Sequence, residues 1–180
     1  MKVKSLFLGL LVTLFMFSCK NEPKTDEPKT DVEVKSNAFK VTLNLLIKKN
    51  DTIHLYYTED NTISFNEESS IWTSVPGKEQ VQDVTFELPK DVFPTEFRVD
   101  LGVNKENEKI IFKGFRFDYL DKSFIANENT LYNYFRVNTD NTNFDATTKE
   151  LSRKDPKIAA GPCLYPLEIP LKTEIDKLAK

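Results

Sequence analysis

A single antiparallel β-sandwich is the fold this sequence predicts, and three observations predict it. Apolar residues recur at every second position in about seven short runs, the period of strands with one face buried. Fourteen Phe and six Tyr stand against only five Gly and two Met in 180 residues. That mixture favours packed β-structure over a helical bundle or a disordered chain. Asn and Asp turns separate the runs, with no strand–helix–strand rhythm. Beyond its first eighteen residues the chain is long enough for one domain with a real core, and too short for two.

The first element is not part of that domain. Lys2 and Lys4 precede an unbroken apolar run from Leu6 to Phe17, and Ser18-Cys19 closes it. The charge, the length and the small residue at the end are those of a signal peptide over residues 1–18. A membrane-spanning helix needs about 20 apolar residues, and this run stops well short at Cys19-Lys20-Asn21-Glu22. Met16-Phe17-Ser18-Cys19 resembles the lipobox of bacterial lipoproteins, and the resemblance implies a diacylglycerol on the Cys19 sulfur and palmitate-like acylation of its amino group. Residues 19–36 then read as a polar tether. They carry a tandem repeat, Glu22-Pro23-Lys24-Thr25-Asp26 and Glu27-Pro28-Lys29-Thr30-Asp31, with no apolar face to bury. At about 3.1 Å per residue an extended proline-bearing chain of this length reaches roughly 50 Å.

The sandwich is expected over residues 37–171. Phe39, Val41, Leu43, Leu45 and Ile47 alternate with polar residues as a first strand, and Lys49-Asn50-Asp51 supplies a turn. Ile53, Leu55 and Tyr57 continue as a second. Val84, Phe86 and Leu88 make another, stopped by Pro89. Phe97, Val99 and Leu101 point inward in the next, with Arg98 and Asp100 outward. Ile110 to Tyr119 is the longest, and its parity changes near Gly114, so a bulge at Lys113-Gly114 is expected. Leu131 to Val137 reads as strand on its aromatic and β-branched content, and Asn138 to Thr148 as loop. Tyr165, Leu167, Ile169 and Leu171 suggest a closing strand that Pro162, Pro166 and Pro170 would confine to an edge. Residues 172–180 form a short helix, with Ile175 and Leu178 packed down, or a frayed tail.

Charge and composition exclude more functions than they suggest. The net charge is −3 with both signs dispersed, and no basic block exists to neutralise phosphates, so nucleic acid is not an expected partner. His54 is the only histidine, which removes most metal sites and nearly every Ser-His or Cys-His pair. Out of phase with Ile53 and Leu55, it reads as a surface strand residue. No phosphate-binding glycine loop is present. Cys163 has no partner once Cys19 is lipidated, and its flanks predict a buried, inert thiol. Asn141-x-Asn143-x-Asp145 has calcium-loop oxygen spacing without the required glycine or the downstream glutamate. No metal or cofactor is therefore expected, and catalysis is not.

Two groups of residues are candidates for binding. Arg98-Val99-Asp100 and Arg116-Phe117-Asp118 share an Arg-x-Asp spacing on strands expected to be close, either as a charged grid for sugar hydroxyls or as exposed ion pairs worth about 0–1 kcal/mol each. Trp72 lies in a polar stretch that reads as irregular, and Tyr56, Tyr132 and Tyr134 fall on outward parities. Exposed rings stack on sugars or anchor protein partners; equally, one tryptophan fills a core.

Gln82-x-Val84-x-Phe86-x-Leu88-Pro89, Phe97-Arg98-Val99-Asp100-Leu101-Gly102 and Ile110-x-Phe112-x-Gly114-Phe115-Arg116-Phe117 resemble the jelly-roll, carbohydrate-binding-like modules of bacterial envelope polysaccharide proteins. With the signal, the chain resembles a Bacteroidetes lipoprotein, and the charged residues after Cys19 are similar to the surface-export signals of that phylum. Asp51-Thr52-Ile53 is similar to its O-glycosylation tripeptide, with Thr52 as the acceptor. The resemblance implies an outer-membrane protein, held by lipid and surface-exposed, that binds glycan without catalysis. The alternative is an accessory subunit docked on an envelope protein complex.

Overall fold

The computed structural model describes residues 37–180. The signal run, Cys19 and the repeat lie outside the described residues. Among the described residues eleven strands, against the seven or so expected, form two antiparallel sheets packed as a sandwich, the fold class the sequence predicts. The strands are β1 (Lys40–Leu46), β2 (Asp51–Thr58), β3 (Ser70–Val75), β4 (Gln82–Glu87), β5 (Glu96–Asp100) and β6 (Ile110–Tyr119). They continue as β7 (Lys122–Asn127), β8 (Phe135–Val137), β9 (Thr142–Phe144), β10 (Glu150–Arg153) and β11 (Cys163–Pro166), and the helix α1 (Glu168–Ala179) ends the fold. One sheet runs β4-β1-β6-β10-β9, with β7 paired to β6; the other runs β3-β2-β5-β11-β8. Among the described residues no helix is long and apolar enough to cross a membrane.

The inward parities meet in one phenylalanine-rich core. Phe39, Phe86, Phe97, Phe112 and Phe117 are all fully buried. Phe97 of one sheet lies 5.2 Å from Phe117 of the other, and Phe39 packs against both at 5.8 and 5.7 Å. Ring pairs at such distances add to the area they remove from water. The expected bulge is present: Asn44 pairs with Gly114 but Leu45 pairs with Phe112, leaving Lys113 over. The extra residue lets Phe112 and Phe115 both face the core. It also divides one edge of β6 between two partners, β10 before the bulge and β7 after it. Gly114 has to be glycine because a Cβ there would meet the Ala126 carbonyl oxygen at 2.5 Å.

Several elements differ from the sequence reading. Residues 70–75 are a regular strand, because β3 pairs with β2 along its whole length, from Ser70 opposite Tyr56 to Val75 opposite Asp51. β7 is absent from the sequence reading because the turn before it uses Leu120 at φ 55 instead of a glycine or asparagine. Residues 131–137 split into a 3-10 turn (Leu131–Asn133) and the short β8, since Tyr134 adopts a helical conformation and donates its N–H to the Leu131 carbonyl. The presumed loop at 138–148 contains β9, paired with β10 across a turn in which Lys149 has φ 61.

The closing strand needs two corrections. β11 is internal, between β5 and β8, and it ends at Pro166. The prolines are tolerated because they stand at the strand's margins: Pro162 offers only its carbonyl, which accepts from Leu101 N–H at 2.7 Å, and Pro166 is the final residue. Leu167, Ile169 and Leu171 are therefore not strand. The helix begins at Glu168 and absorbs Pro170 in its first turn, where an N–H would have no intrahelical acceptor. Leu171, Ile175 and Leu178 face the core at helical spacing, whereas Ile169 is 81% exposed. α1 also covers Glu96, which is 2% exposed with its Oε2 unpartnered. Burial, then the nearby Glu168 and Asp176 carboxylates, push this carboxyl up to about 8 against the opposing pull of Lys172.

A loop junction sits at one end of the sandwich. The buried Asp51 carboxylate accepts from the N–H groups of Thr52, Val103 and Asn104 at 2.7–2.9 Å and from Asn107 Nδ2 at 2.8 Å. Gly102 packs directly against it at φ 82, a conformation that favours glycine. Arg153, also buried, donates to the Asn107, Gly102 and Ala159 carbonyls at 3.2–3.4 Å.

Candidate functional site

The outward parity of β2, β3, β5, β8 and β11 carries an unusual density of rings and guanidinium groups. Two adjacent rows cross the sheet. In the first, cross-strand pairing sets Trp72 beside His54, His54 beside Asp100, and Asp100 beside Cys163. In the second, Tyr56 stands beside Arg98, and Tyr165 beside Arg136. Arg98 bridges the second row, its guanidinium 4.8 Å from the Tyr56 ring and 5.1 Å from that of Tyr165. Arg136, on the strand beyond β11, also lies 5.1 Å from the Tyr165 ring. Ring and cation thus alternate across four strands.

His54 is the centre of the first row. Its imidazole stacks on Trp72 at 3.7 Å with 20° between planes, and meets Tyr56 at 3.8 Å. It is 1% exposed, which corrects the surface position expected from its parity. The parity was right, but the outer face here is roofed by other side chains. Burial lowers the imidazole pKa below its ordinary 6.5, more than the neighbouring Glu67 and Asp100 carboxylates raise it. The ring is therefore neutral at pH 7. Its Nε2 has no hydrogen-bond partner and lies 3.7 Å from Glu67 Oε2.

Part of the roof is the segment between β2 and β3. Asn66 caps the 3-10 turn Glu67–Ser69 by accepting from Ser69 N–H at 3.1 Å. Glu67 Oε1 accepts the Tyr56 hydroxyl at 2.6 Å, and Phe65 packs on Tyr56 and Tyr165 at 6.4 and 6.0 Å. Trp72 escapes this cover. It is 51% exposed, with His54 as its ring partner, and Ser70 and Ser74 flank it on the same side of β3.

Charge on this face is mostly committed. Arg98 donates from Nε and Nη2 to the two Asp100 oxygens at 2.9 and 2.6 Å, a bidentate pair within one strand. Cys163 is 1% exposed, as expected, and burial together with the Asp100 carboxylate pushes its thiol up to about 12. This thiol is held in its protonated, unreactive form at neutral pH.

Of the candidates read from the sequence, Trp72, Tyr56, Arg98 and Asp100 come together on this face; Tyr56 is buried beneath Phe65 and Glu67. Arg116 does not join them. It belongs to β6 in the other sheet and pairs with its own neighbour Asp118 at 2.7 Å, so the expected grid of the two Arg-x-Asp motifs does not exist. Tyr132 and Tyr134 are packing residues. Tyr132 lies 4.7 Å from Phe144, its hydroxyl pushed up to about 12 by burial, and Tyr134 meets Phe124 and Phe115 at 5.2 and 5.8 Å. Thr52 is half-buried and lines an open depression of about 550 Å³ with Asn50, Ser74 and Val103. The Asn141–Asp145 oxygens serve their own chain: Asn141 Oδ1 accepts from Thr142, and Asp145 Oδ1 from the N–H groups of Thr147 and Thr148. Among the described residues no cluster of three metal-ligating side chains occurs.

His54, Phe65, Glu67, Arg136 and Tyr165 were missed. The parity of Ile53 and Leu55 already assigns His54 and Tyr56 to an outer face, but nothing local in the sequence pairs that face with Tyr165, on a strand that joins the sheet some hundred residues later. Comparison with known proteins finds no matching family model, no matching curated protein and no matching solved structure.

Proposed function

We propose that this chain is a non-enzymatic, lipid-anchored envelope protein of the outer membrane whose β3-β2-β5-β11-β8 face binds glycan. The observation that carries the reading is Trp72: a half-exposed indole, braced from behind by a buried, neutral imidazole. A braced ring loses little freedom when a ligand lands on it, and its open face offers the apolar side of a sugar a platform. Ser70 and Ser74 flank the platform with groups that hydrogen-bond sugar hydroxyls. The remaining chemistry of the face supports binding over catalysis. Its histidine is walled in, its aspartate is held by Arg98, and its thiol is pushed far above neutrality. The signal run and Cys19 support the anchor.

A glycan-array screen of the full-length protein, followed by titration of Trp72→Ala, tests this. The substitution should weaken binding to any hit at least about fivefold, the worth of a ring contact of roughly 1 kcal/mol, in a variant that still unfolds in one cooperative transition. An alanine variant that binds as well as the parent overturns the assignment of this face. The docking-subunit reading draws on a different surface: Leu120 and Ile125 of the β6–β7 hairpin are 51% and 67% exposed. Absence of any glycan hit, with loss of envelope-complex association on Ile125→Ser, would favour it.

A further inference from the structure

Resting on the glycan reading, we propose that the ligand is acidic and that its carboxylate is taken by Arg136. Four arginines occur among the described residues, and three are spent. Arg98 is bound to Asp100, Arg116 to Asp118, and Arg153 to three backbone carbonyls. Arg136 is exposed, and its contact is the Tyr165 ring beneath it. No carboxylate among the described residues pairs with it.

A contact with a ring engages the guanidinium's charge and uses up none of its N–H groups on a carboxylate, so its planar fork can still take a carboxylate in two parallel hydrogen bonds. The ring also holds the group in place, so little rotamer freedom is lost on binding. β8 is the last strand of its sheet, so no further strand stands beyond Arg136 to supply a counter-charge from within the sheet. Elsewhere the face discourages anions. Arg98 and Asp100 neutralise each other at its middle and the Glu67 carboxylate overhangs Tyr56, so a ligand carrying negative charge along its whole length gains no cation there and meets Glu67 between the two ends. The arrangement fits a mixed oligosaccharide, with a neutral sugar on Trp72 and an acidic one at Arg136. From β3 to β8 is four strand spacings, about 19 Å, which requires an oligosaccharide instead of a single sugar.

The test uses the full-length protein and an array of neutral oligosaccharides together with uronate-containing ones, each of the latter as free acid and as methyl ester. The parent should prefer free acid to ester by about tenfold, the scale of one charge-assisted contact. Arg136→Gln should reduce the acid to the level of the ester, while Trp72→Ala weakens both in the same proportion. The unfolding midpoint of Arg136→Gln should stay near the parent, since its side chain is exposed, while Trp72→Ala, which uncovers His54, should lower it modestly and still unfold cooperatively. Equal binding of acid and ester, or a preference that survives in Arg136→Gln, overturns the acidic inference and leaves the glycan reading standing. No binding to any member of the array overturns both.

Discussion

The two outward faces of the sandwich are built on one core yet spend their side chains differently. On the β4-β1-β6 face the polar groups satisfy one another in short local pairs. Thr42 and Thr85 share a hydroxyl bond at 3.0 Å, Asn44 donates to Asp83, Lys40 meets Glu87 at 3.4 Å, and Asp118 accepts from both Arg116 and Ser123. On the β3-β2-β5-β11-β8 face, rings and guanidinium groups stack over four strands, bury a histidine, and leave a tryptophan and an arginine open. Exposed pairs of the first kind contribute little individually, and they leave few donors for a ligand. The contrast teaches that a site on a sheet is recognised by what its residues leave unspent.

The comparison can be broken from beneath. Phe117 touches Phe97 and Phe39, so Phe117→Ala should cost about 3–5 kcal/mol through lost burial and a cavity, and should loosen both faces together. Urea midpoints would read the loss, and an unchanged midpoint would contradict the shared core.

His54→Ala sharpens it. Removing the brace of Trp72 should cost about 2–3 kcal/mol, from two ring contacts and the space left behind. Tryptophan fluorescence should shift to the red as the indole loosens. A cost no greater than that of an exposed residue would mean the roof over His54 carries no weight.

Next comes the pH dependence of the covered end of the ring-bearing sheet. The folded Glu96 carboxyl holds its proton to about pH 8, against an ordinary 4.5, so its folded form binds the proton more tightly than its unfolded form does. Stability from this group is full below about pH 4.5 and falls as the pH rises through 8. Glu96→Gln should flatten that slope and raise stability above pH 8 by roughly 1–3 kcal/mol, measured by thermal unfolding across pH. His54 acts at the other end: its lowered pKa means stability is lost as pH falls below 6.5.

Arg116→Ala should have the smallest effect, within about 1 kcal/mol, since its pair with Asp118 is solvent-exposed. It should also leave glycan binding unchanged. A large loss of either would show that the polar face is more than a set of local pairs.

Period-two patterns made the core strands legible, because a buried face repeats every second residue and needs no knowledge of its partner. Val41, Val84, Phe97 and Phe117 were placed correctly for that reason, and the bulge at Lys113 followed from a change of parity. Short strands were not legible. β9 and β10 are held by pairing to neighbours and contribute few apolar residues of their own. Trp72 and Tyr56 could be named as candidates from residue type alone. Whether they meet depends on sheet order, and strand order is a long-range property that local alternation does not encode. Tyr132, Tyr134 and Arg116 were lost to the site for the same reason.

The place of β1 has a kinetic consequence. It is the first strand of the domain to be synthesised, yet it lies between β4 and β6, with Val41 paired to Phe86 on one side and Phe117 on the other. Contacts so far apart in sequence close late and slowly. Until β6 has been made, Val41, Leu43 and Leu45 sit on a strand with at least one open edge, a template for wrong pairing with another chain. A ribosome stalled before residue 110 would therefore hold a chain in which β1 can pair with β4 alone, and completion of β6 marks the point at which the second edge of β1 is covered.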